Sequence, residues 1–297
     1  MKKECDICFH ACRLDEGEIG FCRARGNEDG EIHCLNYGQL TALALDPIEK
    51  KPLNRFYPGS RILSVGSYGC NLRCPFCQNH EISMMGEERP ETESESSGQR
   101  VHGGRSQETG GVVQEYFSPE DLVALALRLR QQGNIGIAYT YNEPLISYEY
   151  VYDCARLAHE AGLKNVLVTN GTVNEAPRQR LLPYIDALNI DLKGIRPEYY
   201  RLLGGSLEVV KRTIEVMTGC CHVEITTLIV PGQNDTEQEM RELASYLAGI
   251  DPDLPLHVSR FFPRYHMQDT EATPVRTIYR LAEVAREYLR YVYEGNC

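Results

Sequence analysis

The chain has 297 residues, is 42% hydrophobic and 25% charged, and carries a formal net charge of −11. That apolar share supports a sizeable core, and the acidic balance excludes the basic surface that broad nucleic-acid binding requires. No apolar run approaches the roughly 20 residues of a membrane span, and the start, MKKECDIC, lacks the apolar region of a signal peptide. A cytoplasmic protein is expected, with its twelve cysteines held in a reducing compartment as thiols or metal ligands.

Residues 1–60 read as a small element of their own. Cys5, Cys8, Cys12 and Cys22 stand in a C-x2-C-x3-C-x9-C spacing, with His10 among them and glycines at 17, 20, 26 and 30. A turn-rich segment with few large apolar residues gains much from a metal clip. Four cysteines suit a closed tetrahedral zinc or a second [4Fe-4S] cluster, and the spacing does not decide between them. Cys34 reads as a small buried hydrophobe. EIHCLNYG and LTALALDPI alternate enough to predict a β-hairpin turned at Tyr37-Gly38, and DPIEKKPL should lead, non-helical, into the next strand.

RILSVGSY is an apolar strand, and GCNLRCPFCQN follows it, with Cys70, Cys74 and Cys77 in a C-x3-C-x2-C spacing. Thiolates are soft ligands that suit iron–sulfur clusters and zinc. A cubane normally takes four cysteines, so three on one loop leave one iron with an open position, the mark of a catalytic metal site. The bland reading is a zinc loop with a remote fourth ligand, or a chance group of buried thiols. Residues 85–116 are polar and lack apolar periodicity, which predicts a flexible surface insertion.

From residue 117 strands and helices alternate. Ser118-Pro119-Glu120-Asp121 opens a helix whose buried face is Leu122, Leu125, Ala126 and Leu129. GIAYTY, NVLVTN, ALNIDLK, HVEITTLIV and PLHVSRF read as strands, separated by helices in SYEYVYDCARLAHEAG, NEAPRQRLLPY, PEYYRLL, SLEVVKRTIEVM and TEQEMRELASYLAG. TPVRTIYRLAEVAREYL is the last helix, and YVYEG a short final strand. Counted from RILSVGS, six β/α units plus a tail make residues 61–297 an α/β domain. Six units are fewer than the eight of a closed barrel, so a partial (β/α)6 TIM-like barrel is expected. In such folds chemistry gathers at the C-terminal strand ends.

C-x3-C-x-aromatic-C, with Phe76 before Cys77, resembles the radical S-adenosylmethionine (SAM) signature. The resemblance implies that Cys70, Cys74 and Cys77 hold a [4Fe-4S] cluster whose open iron chelates SAM, with Phe76 near the adenine. Asn142 and Glu143 in AYTYNEP resemble a variant, without its glycines, of the motif that holds the SAM amino group. Thr169 and Asn170 in VTNG, Asp191 and Lys193 in DLK, and His257 in H-x-S-R-F stand at further predicted strand ends. Asp191 and Lys193, two apart on a strand, share one face, so Lys193 is expected to pair with a carboxylate and Asp191 to offset positive charge or help bind a cation.

These motifs resemble the activating enzymes of glycyl radical enzymes, such as pyruvate formate-lyase activases. CDICFHAC, DPIEKKPL, GCNLRCPFCQNHEIS, LIVPGQND and YVYEGN extend the likeness, outside 85–116, to the AmmeMemoRadiSam-system radical SAM enzymes. The implied function is reductive cleavage of SAM to a 5′-deoxyadenosyl radical that abstracts hydrogen from a partner protein's glycine, or from a small or peptidyl substrate. Ferredoxin or flavodoxin is the implied reductant. Arg260, Tyr139 and Tyr141 are candidates for substrate contact by position only. The reading of another class is a metal-binding electron-transfer or interaction module without SAM chemistry.

Overall fold

The computed structural model describes residues 2–85, 106–109 and 112–297. Its centre is an eight-stranded sheet in which each strand neighbours the next in chain order: β1 (Ala42–Pro47), β2 (Arg61–Gly66), β3 (Asn134–Tyr139), β4 (Lys164–Thr169), β5 (Ala187–Asp191), β6 (His222–Ile229), β7 (Leu256–Arg260) and β8 (Val292–Gly295). β1 runs antiparallel to β2, and every later pair is parallel. Helices α1 (Pro119–Arg128), α2 (Tyr148–Glu160), α3 (Glu175–Leu181), α4 (Pro197–Leu202), α5 (Leu207–Thr218), α6 (Glu237–Ile250) and α7 (Val275–Arg286) fill the crossovers. The result is the expected partial barrel: six β/α units from β2 to β7, with β8 as the tail strand.

Local chemistry explains the element ends. Ser118 Oγ accepts the Asp121 N–H at the start of α1, with Pro119 in the first turn. Gly162, at φ +69°, follows α2 in the left-handed conformation that a side chain disfavours. Alternation along the strands then sorts the two faces. Leu63, Val65, Ile137, Tyr139 and Leu167 join Leu122, Ala126, Val151 and Ala155 of the helices in the main core. Ile62, Ala138, Val166 and Ala187 point the other way and pack on Ile48, Leu53 and Phe56. The segment after β1 thus plugs the N-terminal end of the barrel. It contains one 3-10 turn, Ile48–Lys50, where a non-helical lead-in was expected.

The predicted hairpin about Tyr37-Gly38 does not form. Glu31–Cys34 pairs instead with Arg25–Glu28 across Asp29-Gly30, both at positive φ. Asp-Gly suits the tight hairpin turn that needs positive φ at both central residues. Ala42–Pro47 finds a longer partner in β2 and so belongs to the main sheet. Much of the polar stretch expected as a flexible insertion lies outside the described residues. Of its remainder, Ser106–Thr109 and Val112–Tyr116 pair antiparallel, and Gln39–Leu40 adds a third short strand.

The plug is tied to the barrel wall by Glu224 of β6. Its carboxylate is fully buried and accepts the N–H groups of Asn54 (3.0 Å) and Arg55 (2.8 Å). It also accepts from His222 Nε2 (2.9 Å) and His257 Nε2 (2.6 Å). Asn189 Nδ2 donates to Pro52 O at 2.8 Å alongside. Burial alone would raise the Glu224 pKa; hydrogen bonds from His222, His257 and the Arg55 N–H outweigh it and hold the carboxyl at about 2.

Because the folded pKa is depressed, the stability Glu224 contributes is present above its ordinary pKa near 4.5 and is lost as the pH falls toward about 2. Glu224→Gln should cost about 3–5 kcal/mol near neutral pH by urea unfolding. The gap from the parent should narrow below pH 4. A gap that is small at pH 7, or independent of pH, would show that the plug is held by its apolar residues alone.

Candidate metal and cofactor site

The loop after β2 carries the three thiols to the C-terminal rim of the barrel. Gly69, at φ +86°, brings the backbone so close to Cys22 O that an added Cβ would lie 2.5 Å from it. Cys77 N–H donates to Cys74 O (3.2 Å), closing the loop on itself. Leu72, Phe76, Tyr199, Leu203, Val230 and Phe261 form an apolar bed, and Cys70 and Cys77 pack against it. Phe76, 3% exposed, belongs to that bed. Burial pushes all three thiols up, Cys74 to about 11 and Cys70 further. Buried thiols of this kind ionise when a metal takes their protons' place, so the donor set fits a soft metal centre. Among the described residues no three His, Cys, Asp or Glu side chains meet closely enough to share one metal ion.

The strand ends supply the polar surround. Asn142, just beyond β3, accepts Ser67 N–H (3.1 Å) and donates to Tyr68 O (3.3 Å) and Gly69 O (3.0 Å). It therefore clamps the backbone leading into Cys70. Asn170, after β4, donates to Asn71 Oδ1 (2.8 Å) and lies 4.0 Å from the Cys70 sulfur. Asn71 donates to Thr172 Oγ1 (2.8 Å), which donates back to Asn170 Oδ1 (2.6 Å). Lys193 Nζ pairs with Asp191 Oδ2 at 2.9 Å beside Cys74. Burial opposes the Lys193 charge, but Asp191 and the Cys74 sulfur outweigh it and keep the ammonium above its ordinary range.

Glu143 is 4% exposed. Its carboxylate accepts Leu145 N–H (2.9 Å), Asn170 N–H (2.7 Å) and Thr169 Oγ1 (2.9 and 3.0 Å). It joins the ends of β3 and β4. Burial still pushes it up to about 7, against those donors.

Glu143, Thr169, Asn170, Asp191 and Lys193 thus gather at the rim with Cys70 and Cys74. His257 does not stand at a strand end. It is the second residue of β7, and its ring is held on Glu224, below the rim. The position candidates for substrate contact divide as well. Tyr139 is buried on the helix-covered side and donates to Asn165 Oδ1 (3.2 Å), and Arg260 Nε donates to Thr273 O (2.6 Å). Tyr141, at φ +73°, lies over Gly66 on the inner wall and donates to Asp46 Oδ2 (2.8 Å). Asp46 also holds Lys51 Nζ at 2.8 Å, over the Tyr141 ring. DPIEKKPL, read as a mere lead-in, supplies both charges of that inner-wall group.

The raised Glu143 pKa has the opposite sign of pH dependence from that of Glu224. Its stability contribution is complete below the ordinary carboxylate pKa and is lost as the pH rises through about 7. In Glu143→Gln the fall in stability between pH 4.5 and 7, on the order of 3 kcal/mol at most, should flatten in urea titrations. Parallel profiles for parent and variant would assign the pH dependence elsewhere.

The profile described as the radical SAM superfamily matches residues 64–247. A Methanocaldococcus jannaschii protein described as "Uncharacterized protein MJ0808" is 37% identical over 298 residues, covering 99% of this chain and 81% of its own. The indoleacetate decarboxylase activating enzyme of Tractidigestivibacter scatoligenes is 23% identical over 269 residues, 75% of this chain and 81% of its own. Among solved structures, Streptococcus suis SuiB bound to S-adenosylmethionine superposes with a TM-score of 0.55 at 13% identity, over 80% of this chain and 52% of that one, a likeness of fold. Since the profile spans most of the chain and includes the three-cysteine loop, this protein belongs to the radical SAM superfamily.

Proposed function

We propose that this chain is a radical SAM enzyme of the activating type, with Cys70, Cys74 and Cys77 as ligands of a [4Fe-4S] cluster. The observation that carries this reading is the three thiols on one loop, Cys74 buried and Cys70 and Cys77 half-buried, with a half-buried Lys193–Asp191 pair beside Cys74. Bound together, the cluster and SAM supply a one-electron cleavage that yields a hydrogen-abstracting 5′-deoxyadenosyl radical. The protein's own part is positioning and exclusion of water. Asn142 and Asn170 fix the loop, the apolar bed keeps it dry, and Lys193 offsets thiolate charge and would pair with the carboxylate of SAM. Glu143 is the candidate partner for the SAM ammonium, whose arrival would draw its raised pKa back down.

The names of relatives support an activating role, in which the substrate is a glycine of a partner protein. A small or peptidyl substrate is the second reading. It is favoured by Thr226 Oγ1, a buried polar atom on β6, level with Asp191, that has no protein partner. We assign the electron to a cytoplasmic ferredoxin or flavodoxin. The four N-terminal cysteines form a further thiolate metal site, zinc or a cluster.

Cys70→Ala, Cys74→Ala and Cys77→Ala should each abolish 5′-deoxyadenosine formation after anaerobic reconstitution. Retained cleavage in the triple variant would sink the assignment. Lys193→Met and Glu143→Gln should weaken SAM binding about tenfold to a hundredfold by calorimetry, the loss of one charge-assisted hydrogen bond each. Deuterium appearing in 5′-deoxyadenosine from a labelled glycine loop, and not from labelled small molecules, would decide for the activating role.

A further inference from the structure

We infer that Cys5, Cys8, Cys12 and Cys22 hold a second, fully cysteine-ligated iron–sulfur cluster that passes electrons to the cluster at Cys70, Cys74 and Cys77. The inference rests on the radical SAM reading above for its acceptor.

The four residues are brought together by the fold. Cys5 N–H donates to Cys12 O (2.9 Å), and Ala11 N–H to Cys8 O (3.1 Å), which folds the first three cysteines into one turn. Cys5 and Cys12 lie within electrostatic reach of Cys8, and Cys22 within reach of Cys5 and Cys8. All four line a single small cavity, walled by Ile7, Leu14, Phe21 and Ile146. Four cysteines lining one cavity suit thiolate ligands spread over the irons of a cluster. His10 is otherwise engaged: its Nε2 is bonded to Asn71 O (2.9 Å) and its ring stacks on Phe21. Four cysteines close the coordination, so this centre carries electrons and leaves no position for a substrate.

A second observation points to a charged occupant. Arg25, 3% exposed, lines the same cavity, and its Nε is buried without a hydrogen-bond partner. Its other nitrogens are spent on Glu149 and Ile146 O. A thiolate-bound cluster is an anion, and a buried guanidinium N–H at its edge offsets that charge and accounts for the orphan donor.

The two centres share a wall. His10, on the cavity wall, is bonded through Nε2 to the backbone oxygen of Asn71, the neighbour of Cys70 (2.9 Å). Cys22 O lies against Gly69, and the Arg73 guanidinium donates to Phe21 O and stacks over the Phe21 ring at 4.1 Å. Residues 69–73 therefore separate the cysteine cavity from the rim thiols. Zinc has no redox chemistry, and such proximity would serve it nothing. The step is one electron: a low-potential carrier protein of the ferredoxin or flavodoxin class reduces the N-terminal cluster, which is reoxidised as the electron moves on.

The full chain with Cys70, Cys74 and Cys77 all changed to Ala, loaded anaerobically with iron and sulfide, should retain about four irons and a reducible cluster signal by electron paramagnetic resonance. About one zinc without iron, or no bound metal, overturns the proposal. Should that variant fail to fold by circular dichroism, the intact protein decides: about eight irons supports the second cluster, and about four refutes it. For the relay, the ratio of flavodoxin-driven to dithionite-driven SAM cleavage in Cys12→Ala should fall roughly tenfold or more below the parent's. An unchanged ratio refutes the relay. Absent SAM cleavage by the parent with dithionite would be a failure of the radical SAM reading, which the iron count does not depend on.

Discussion

A thiol packed against apolar side chains is a poor anion, and the rim of this barrel is arranged around three of them, one buried and two half-buried. Their ionisation needs positive charge nearby and a rigid backbone, because small errors of position are costly where the dielectric is low. Lys193 provides the charge, and Asp191 keeps it protonated. Asn142 and Asn170 provide the rigidity, each using its amide to bind the cysteine loop from a different strand. Glu143 then ties those two strand ends together through Thr169 and the Asn170 N–H. Removing any one of these groups disturbs the others, since they are links in one network.

What was legible in the sequence was local. The C-x3-C-x2-C spacing, the Ser-Pro opening of α1, and the strand–helix alternation each need only a few neighbouring residues, and each appears in the fold. The rim residues after β3, β4 and β5 were legible for the same reason, since a polar group just past an apolar strand marks its end. The failures involve choice between distant partners. Ala42–Pro47 had to prefer β2 over a nearer strand, and the Asp29-Gly30 turn signal was the local clue left unused. His257 lies near the start of its strand, and its partner Glu224 is 33 residues away, so no local pattern assigns it to the wall below the rim. Asn142 carried too little local signal for its clamp on Ser67–Gly69 to be foreseen.

The inner wall shows how one strand serves two purposes. Tyr141 leaves β3 in a left-handed conformation, uncommon for a bulky residue, and its ring crosses the space above Gly66 that any larger residue would fill. That geometry sends its hydroxyl to Asp46 and its ring under Lys51, while the next two residues, Asn142 and Glu143, turn to the thiols and to β4. A single backbone reversal thus divides the inner wall from the rim.

The attachment of the plug to Glu224 bears on how the chain reaches this fold. Asn54 and Arg55 are hydrogen-bonded to a carboxylate 170 and 169 residues further along. Closing so long a loop costs entropy before the contact returns anything, and contacts of large sequence separation slow folding. During synthesis the segment 48–56 emerges early, with Ile48, Leu53 and Phe56 lacking the strands they cover. It locks only when β6 has joined the sheet. The floor of the barrel is therefore finished from its far side, late.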